Sequence, residues 1–243
     1  MKLGILVCDH VQDQLQGEFG DYPQMFKDTL LKVDESLDID IFEVVRGQFP
    51  TDIDQCDAYL TTGSRWGVND GLPWVEKLSD FIRQLYHAKK GFVGICFGHQ
   101  LLAQALGGEV NESDKGWGEG IAFSDVCQQQ VWMEPYQSKL NLLVSHKDQI
   151  VKLPTAAKVL LANEFCPYSM IQIADHFLGI QGHPEFSHSY SHALMDSRKD
   201  RIPSDVIEKG VLSLAHQTDA VITTQWLLNF LKQTMLTAEN KMS

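Results

Sequence analysis

The 243-residue sequence is short of positive charge, of paired cysteines and of long apolar runs. Its 20 Lys and Arg residues stand against 32 Asp and Glu residues, a formal net charge of −12 that argues against binding to nucleic acid or to an anionic membrane surface. No apolar run approaches the roughly 20 residues that span a bilayer. We therefore expect a soluble globular protein without a nucleic-acid or membrane partner.

The five cysteines are widely spaced and include no C-x-x-C pair: Cys8, Cys56, Cys96, Cys127 and Cys166. An odd number of unpaired cysteines indicates neither a disulfide framework nor a zinc cage, so the cytoplasm is the expected setting. The sequence also has no G-x-G-x-x-G dinucleotide fingerprint and no Walker P-loop. These absences predict a protein that needs no metal and no cofactor.

Short apolar runs alternate with helical periodicity over the first hundred residues. Four runs have the length and composition of buried strands: 3–8, 39–45, 58–62 and 92–96. Apolar residues recur at helical spacing between them, over 25–37 and 74–85. This β-α-β-α order predicts an α/β fold in which helices flank a doubly wound, mostly parallel sheet.

The second half of the sequence has a different pattern. Further runs have strand character: 121–126, 142–145, 159–161, 169–174 and 177–181. From about residue 187 the pattern is helical, with an apolar stripe that includes Val221, Trp226 and Phe230. We predict a single domain over 1–243 with a helical extension over about 187–243, which would dock a partner, cover a site or complete the core.

The segment around Cys96 carries the first chemical signal. Gly94-Ile95-Cys96-Phe97-Gly98 is a G-x-C-x-G motif at a predicted strand-to-helix junction, which is typical of a nucleophile elbow. The free N–H groups and dipole of the following helix favour a thiolate there. The alternative is a buried core cysteine between glycines that permit close packing.

A second segment supplies a base for that cysteine. In His183-Pro184-Glu185 the proline favours an extended backbone, so the side chains of His183 and Glu185 point the same way. Glu185 can then orient the imidazole while its other nitrogen takes the cysteine proton. Taken alone, the segment also fits a turn histidine beside a surface glutamate.

Together, the GICFGHQ motif within 91–100 and QGHPEF at 181–186 closely resemble the motifs of the class I glutamine amidotransferases. TTGSRWG at 61–67 and SHKDQ at 145–149 also resemble that family's patterns, and the standalone members similar to the GMP synthetase amidotransferase domain or to γ-glutamyl peptidases are nearest. The resemblance implies attack on a γ-glutamyl amide through a cysteine thioester.

The resemblance also implies roles for individual residues. Cys96 would be the nucleophile, His183 the general base and then acid, and Glu185 the residue that orients the histidine. The oxyanion hole would use the backbone N–H of Phe97 with that of Ser64 or Gly63, although the family more often has Gly-Gly or Asn-Gly in this turn. Further residues would contact or line the substrate site: Gln100, Lys115, Gly116, Trp117, His146 and Asp148.

Other features favour simpler interpretations. His188 and His192 would share a helix face at i, i+4, but without a third convergent ligand they are better explained as surface histidines. The 115–118 segment also fits an ordinary glycine turn with a packing tryptophan, and His146 fits a turn at a strand end.

Three functions follow from these observations. The leading hypothesis is an enzyme that acts alone on glutamine or another γ-glutamyl compound. Because the sequence has no ATP-binding loop, an ammonia-supplying glutaminase subunit of a separate synthetase is the second. The third is a catalytically silent binding or regulatory protein of the same fold, against which the intact Cys96, His183 and Glu185 argue.

Overall fold

A central sheet with helices on both faces organises the computed structural model, which describes residues 1–242 with side chains through residue 237. The strands are β1 Lys2–Leu6, β2 Asp38–Phe42, β3 Ala58–Thr61, β4 Gly91–Ile95, β5 Glu109–Glu112, β6 Gly118–Val126, β7 Lys139–His146, β8 Asp148–Lys152, β9 Ala157–Ala162, β10 Met170–Ile173 and β11 Phe177–Ile180. The helices are α1 Asp13–Phe19, α2 Tyr22–Val33, α3 Pro73–His87, α4 Phe97–Ala105, α5 His188–Asp196, α6 Ser204–Ser213 and α7 Ala220–Met242.

Within these residues, nine strands form one sheet in the order β2-β1-β3-β4-β11-β10-β9-β6-β7. The first five of that order are parallel, and the strands from β10 outward pair antiparallel. Strands β3, β4 and β11 are buried along their whole length, as expected for parallel strands covered on both faces.

Side chains of the central strands alternate between two apolar cores. Leu3 and Ile5 of β1 pack with α2 and α7, whereas Leu6 packs with α3 and α4 on the opposite face. This arrangement confirms the predicted doubly wound, mostly parallel fold with flanking helices.

The C-terminal helical region completes one of these cores. Trp226 and Phe230 of α7 are buried against the sheet, where the side chain of Thr234 lies close to the backbone of Gly91 in β4. Val221 of the predicted apolar stripe is instead 52% exposed, because at about 100° per residue it lies about 140° around α7 from the buried Trp226. Residue 243, the last of the predicted extension, lies outside the described residues.

The topology brings the chemical motifs together at one edge of the sheet. Strands β3, β4 and β11 are adjacent and parallel, so their carboxyl ends lie side by side. Gly63 follows β3, Cys96 follows β4 and His183 follows β11. Ligand sites of open α/β sheets form at this edge.

Candidate active site

Cys96 lies in a strained turn between β4 and α4. Its backbone has φ 49° and ψ −97°, outside the regions that residues with a Cβ normally occupy. The backbone N–H of Cys96 donates to the carbonyl of Ile180 at 2.8 Å, which ties the turn to the end of β11. The turn places the cysteine side chain at the N-terminus of α4, where backbone N–H groups have no intrahelical acceptor.

The two glycines of the G-x-C-x-G motif are required by close packing. A Cβ on Gly94 would overlap the carbonyl of Gly98, and a Cβ on Gly98 would overlap the hydroxyl of Thr61 in β3. The motif therefore fits a tight elbow that presses against the neighbouring strand, and it is more than a permissive packing site.

His183 and Glu185 form a buried hydrogen-bonded pair beside this elbow. The Nδ1–H of His183 donates to Glu185 Oε1 at 2.7 Å, and both residues are less than 10% exposed. The His183 ring stacks on Phe186 with centroids 3.9 Å apart and planes 7° apart. The backbone N–H of His183 donates to the Leu143 carbonyl of β7 at 2.8 Å. These contacts hold the ring with Nε2 facing away from Glu185.

The electrostatic surroundings favour the imidazolium form of His183. Burial lowers the pKa of His183, but the Glu185 carboxylate and the nearby Cys96 sulfur, each through charge and hydrogen bonding, together raise it to about 10. A charged histidine beside a cysteine favours the thiolate, which is the nucleophilic form.

The turn after β3 lies against both side chains. A Cβ on Gly63 would come within 2.8 Å of His183 Cε1 and 3.6 Å of Cys96 Cβ. Beyond it, the N–H groups of Arg65, Trp66 and Gly67 are already taken by oxygens of Asp9, Ser64 and Asp70. The donors that the turn leaves for a ligand are therefore the N–H groups of Gly63 and Ser64.

Asp9 anchors that turn, and the sequence analysis assigned it no role. Asp9 lies three residues beyond the end of β1, and its buried carboxylate accepts the backbone N–H of Arg65 at 2.8 Å and the Arg65 guanidinium Nε–H at 2.8 Å. The sequence signal that could have identified Asp9 is an acidic residue directly after the apolar run 3–8, because a carboxylate buried there needs a partner.

Gln181 contacts the cysteine directly, a role that the sequence analysis also missed. Its side-chain amide donates to Cys96 Sγ at 3.4 Å and accepts from Gln100 Nε2 at 3.1 Å. Gln100 Nε2 also lies 2.7 Å from the Asp148 carbonyl, which fixes the orientation of both amides. The 1% exposed Gln181 is thus held with a donor aimed at the sulfur.

We expect Gln181→Glu to slow alkylation of Cys96 by iodoacetamide about tenfold at neutral pH. The isosteric carboxylate removes a donor to the thiolate and adds a negative charge beside it, and one hydrogen bond to a charged group is worth about 1.5–3 kcal/mol. Mass spectrometry of the Cys96 peptide measures the rate. The exposed Gln14→Glu serves as the control, and equal rates in both variants would remove Gln181 from the site.

A pocket of about 270 Å³ opens over Cys96 and contains several of the predicted residues. Ser64, Phe97, Gln100, Trp117, His146 and Asp148 line it. Lys115 instead lines a neighbouring groove, where its ammonium contacts the Glu164 carbonyl, and Gly116 is a turn glycine with φ +80°. The structure thus brings Trp117 of the 115–118 segment to the pocket but not Lys115.

Two further ionisable groups lie in or beside this pocket, since His146 lines it and Glu119 lines the neighbouring groove. Burial lowers the pKa of His146 to about 4, so the ring is neutral near pH 7, and its Nδ1–H donates to the Asp148 carbonyl at 3.0 Å. Burial raises the pKa of Glu119 to about 7, while Ser145 donates to its carboxylate at 2.8 Å. Arg198 in turn donates to the Ser145 hydroxyl at 2.6 Å.

Across the described part of the chain, no group of three or more His, Cys, Asp or Glu side chains is placed to hold a metal ion. His188 contacts the His216 carbonyl at 2.8 Å, and His192 lies 3.9 Å from Asp196, so the two histidines have separate partners. None of the described helices combines the length and apolarity that a membrane crossing requires.

A model of the family described as glutamine amidotransferase class-I matches residues 63–198, more than half of the sequence. The chain belongs to the class I glutamine amidotransferase family. The resemblance predicted from the Cys96 and His183 segments is therefore confirmed.

Curated relatives of this chain include proteins of two kinds. It is 28% identical over 241 residues to gamma-glutamyl peptidase 3 of Arabidopsis thaliana, with 95% of each chain covered. It is 26% identical over 139 residues to one subunit of the glutamine-hydrolyzing GMP synthase of Sulfolobus acidocaldarius, with 57% of this chain and 72% of that protein covered.

A solved glutamine amidotransferase from Methylobacillus flagellatus has the same fold. Its TM-score to this chain is 0.72 at 20% identity, and the match covers 98% of this chain and 94% of that one. This likeness confirms the predicted fold class.

Proposed function

We propose that this amidotransferase-family protein acts alone as a hydrolase of γ-glutamyl amide bonds, through a thioester on Cys96. The observation that carries the proposal is the strained Cys96 elbow beside the buried pair of His183 and Glu185, whose Nδ1 and Oε1 atoms are 2.7 Å apart. The 95% mutual coverage with a protein named gamma-glutamyl peptidase supports it further.

In the first step, the Cys96 thiolate attacks the γ-carbonyl carbon, and an electron pair of the sulfur forms the carbon–sulfur bond. The carbonyl oxygen becomes an oxyanion, which accepts hydrogen bonds from the N–H of Phe97 and from that of Gly63 or Ser64. As the tetrahedral intermediate collapses, the carbon–nitrogen bond breaks and the leaving nitrogen takes a proton from the His183 imidazolium. A γ-glutamyl thioester and a free amine result.

In the second step, water resolves the thioester. The neutral His183 takes a proton from the water as its oxygen attacks the same carbon. Collapse of the second oxyanion breaks the carbon–sulfur bond and releases glutamate, which restores the Cys96 thiolate and the His183 imidazolium. Glu185 holds the ring in the tautomer that both steps use.

We expect Gly63→Ala to lower kcat about 100-fold while the protein stays folded. The added Cβ lies within 2.8 Å of His183 Cε1 and pushes the ring from its position. A shift of about 1 Å near the reacting atoms lowers the rate about 100-fold. Steady-state kinetics and a melting curve are compared with those of Gly17→Ala, where no atom of the described residues lies within 4 Å of the new Cβ. Unchanged kcat in Gly63→Ala would place the reacting groups elsewhere.

The second candidate is a glutaminase subunit that passes ammonia to a separate synthetase. The partial match to one subunit of a GMP synthase favours it. Such a subunit is nearly silent by itself and is switched on by its partner.

One experiment separates the two functions. The purified chain is incubated with glutamine and with a panel of γ-glutamyl amino acids and peptides, and released ammonia, glutamate and amines are measured. Turnover by the isolated chain supports the autonomous hydrolase, and the preferred leaving group defines its substrates. A folded protein that is silent on every substrate contradicts the autonomous hydrolase and favours the ammonia-supplying role.

A further inference from the structure

The pocket over Cys96 is unusually rich in positive charge for an acidic chain. Four of the 20 Lys and Arg residues line it: Arg65, Lys147, Arg198 and Arg201. Two carboxylates, those of Glu112 and Asp148, line it as well. In a protein of net charge −12 this concentration points to an anionic ligand.

Two of these four cations are neutralised within the protein. The guanidinium of Arg65 pairs with Asp9 at 2.8 Å, and the ammonium of Lys147 pairs with Glu112 at 2.6 Å. Among the described residues, Arg198 forms no ion pair, and the ion pair of Arg201 is long, 3.9 Å from its Nε to the exposed carboxylate of Asp200.

Arg198 and Arg201 therefore remain to face a ligand. Arg198 donates to the Ser145 hydroxyl, and that hydroxyl in turn donates to the Glu119 carboxylate. The buried Nε of Arg198 has no hydrogen-bond partner in the described part of the chain. Arg201 is 59% exposed at the pocket rim, and its nearest carboxylate, Asp200, is 3.9 Å away and 79% exposed.

The charges of the pocket match one class of γ-glutamyl compound better than another. After this pairing, the pocket keeps two guanidinium groups without a close ion pair, those of Arg198 and Arg201, and one carboxylate, that of Asp148. A γ-glutamyl amino acid carries two carboxylates and one ammonium group around the scissile bond, and a γ-glutamyl peptide carries its second carboxylate at the C-terminal end of the leaving group. Glutamine carries only one of each, so it leaves one guanidinium without a partner.

The position of Arg201 suggests which carboxylate it binds. The amine must depart through the opening of the pocket before water resolves the thioester, so the leaving group lies toward the mouth. The exposed Arg201 lies at that mouth, whereas Arg198 is half-buried beside Ser145. A planar guanidinium binds a carboxylate with two parallel hydrogen bonds.

We propose that Arg201 binds a carboxylate of the leaving group, so that the substrates are γ-glutamyl amino acids and peptides rather than glutamine. This inference rests on the proposed hydrolysis of γ-glutamyl amides and names its substrate class. The inference is tested by binding as well as by turnover, so the role of Arg201 and the proposed hydrolysis can fail separately.

The binding test uses the Cys96→Ala chain, in which ligands are not consumed. Calorimetry compares γ-glutamylalanine with γ-glutamylalanine amide, which differ by the leaving-group carboxylate alone. We expect the acid to bind about tenfold more tightly, which corresponds to about 1.4 kcal/mol. Adding Arg201→Ala abolishes this preference by weakening the acid alone, whereas Arg201→Lys keeps part of it because the charge remains without the planar fork.

The turnover test compares kcat/KM for the acid, the amide and glutamine in wild type, Arg201→Ala and Arg46→Ala, whose exposed arginine lies outside the pocket. A tenfold loss in Arg201→Ala on the acid alone supports the inference. Equal losses of kcat/KM on all three substrates would assign Arg201 to the glutamyl part of the substrate and contradict the inference. In the binding test, equal affinities for the acid and the amide would overturn the inference while leaving the proposed hydrolysis intact. Absence of turnover with a retained binding preference would contradict the proposed hydrolysis only.

Discussion

Cys96→Ala is expected to reduce γ-glutamyl hydrolysis by at least about 1,000-fold, to the level of background. The substitution removes the only group that the mechanism uses to bond the acyl carbon, and loss of the nucleophile in comparable hydrolases costs about 10⁶ in kcat. Released glutamate, measured for equal amounts of folded wild type and variant, gives the ratio.

A matched control separates loss of the nucleophile from a general effect of cysteine removal. Cys127 is exposed and lies outside the pocket, so Cys127→Ala is expected to keep the wild-type rate. Mass spectrometry of wild type quenched with acid during turnover should also find a glutamyl adduct on the Cys96 peptide. Wild-type rates in Cys96→Ala would exclude the thioester route.

Glu185→Gln is expected to lower kcat by between about 10² and 10⁴ without removing the thioester. An amide of the same shape no longer stabilises the imidazolium and favours the wrong tautomer of His183. Because Cys96 remains, the glutamyl adduct should still form, but slowly. Rapid-quench kinetics and the adduct mass measure the two effects.

The same variant should change the pH profile in a defined direction. His183 is the acid that protonates the leaving nitrogen, and its pKa is about 10 beside Glu185 and Cys96. His183 therefore stays protonated through neutral pH, and activity should fall only as the pH rises toward 10. Without the carboxylate, burial is opposed by Cys96 alone, so the pKa of His183 falls. The alkaline limb of kcat/KM should therefore move to lower pH, and an unmoved limb would show that it reports another group.

Local patterns were sufficient for the elements that bury an apolar face. The helices around 74–85 and after Cys96 and the strands at 58–62 and 92–96 were predicted correctly, because a helix buried on one face has a clear period and a strand buried on both faces is a continuous apolar run. The predicted strand at 3–8 was right in place but too long, because β1 ends at Leu6. The predicted strand at 39–45 was too long, because β2 ends at Phe42 and a turn of 3₁₀ helix follows over Val44–Arg46.

Polar strands were missed because they lack that signal. The β5 segment Glu109–Glu112 buries only Val110, and it pairs with β8 in a separate two-stranded sheet. Such a strand is held by its backbone partner rather than by an apolar face, so its own sequence does not indicate it.

By itself the sequence determined the fold class, the family and the two segments that supply Cys96, His183 and Glu185. These depend on local requirements, since a tight elbow needs small residues around the cysteine and an extended His-Pro-Glu places two side chains on one face. Only the tertiary structure decided that Gln181 donates to the sulfur, that Asp9 holds the turn after β3, and that Arg198 and Arg201 line the same pocket as Cys96. These contacts join positions distant in the chain, and their chemistry depends on distance and burial, which no local pattern encodes.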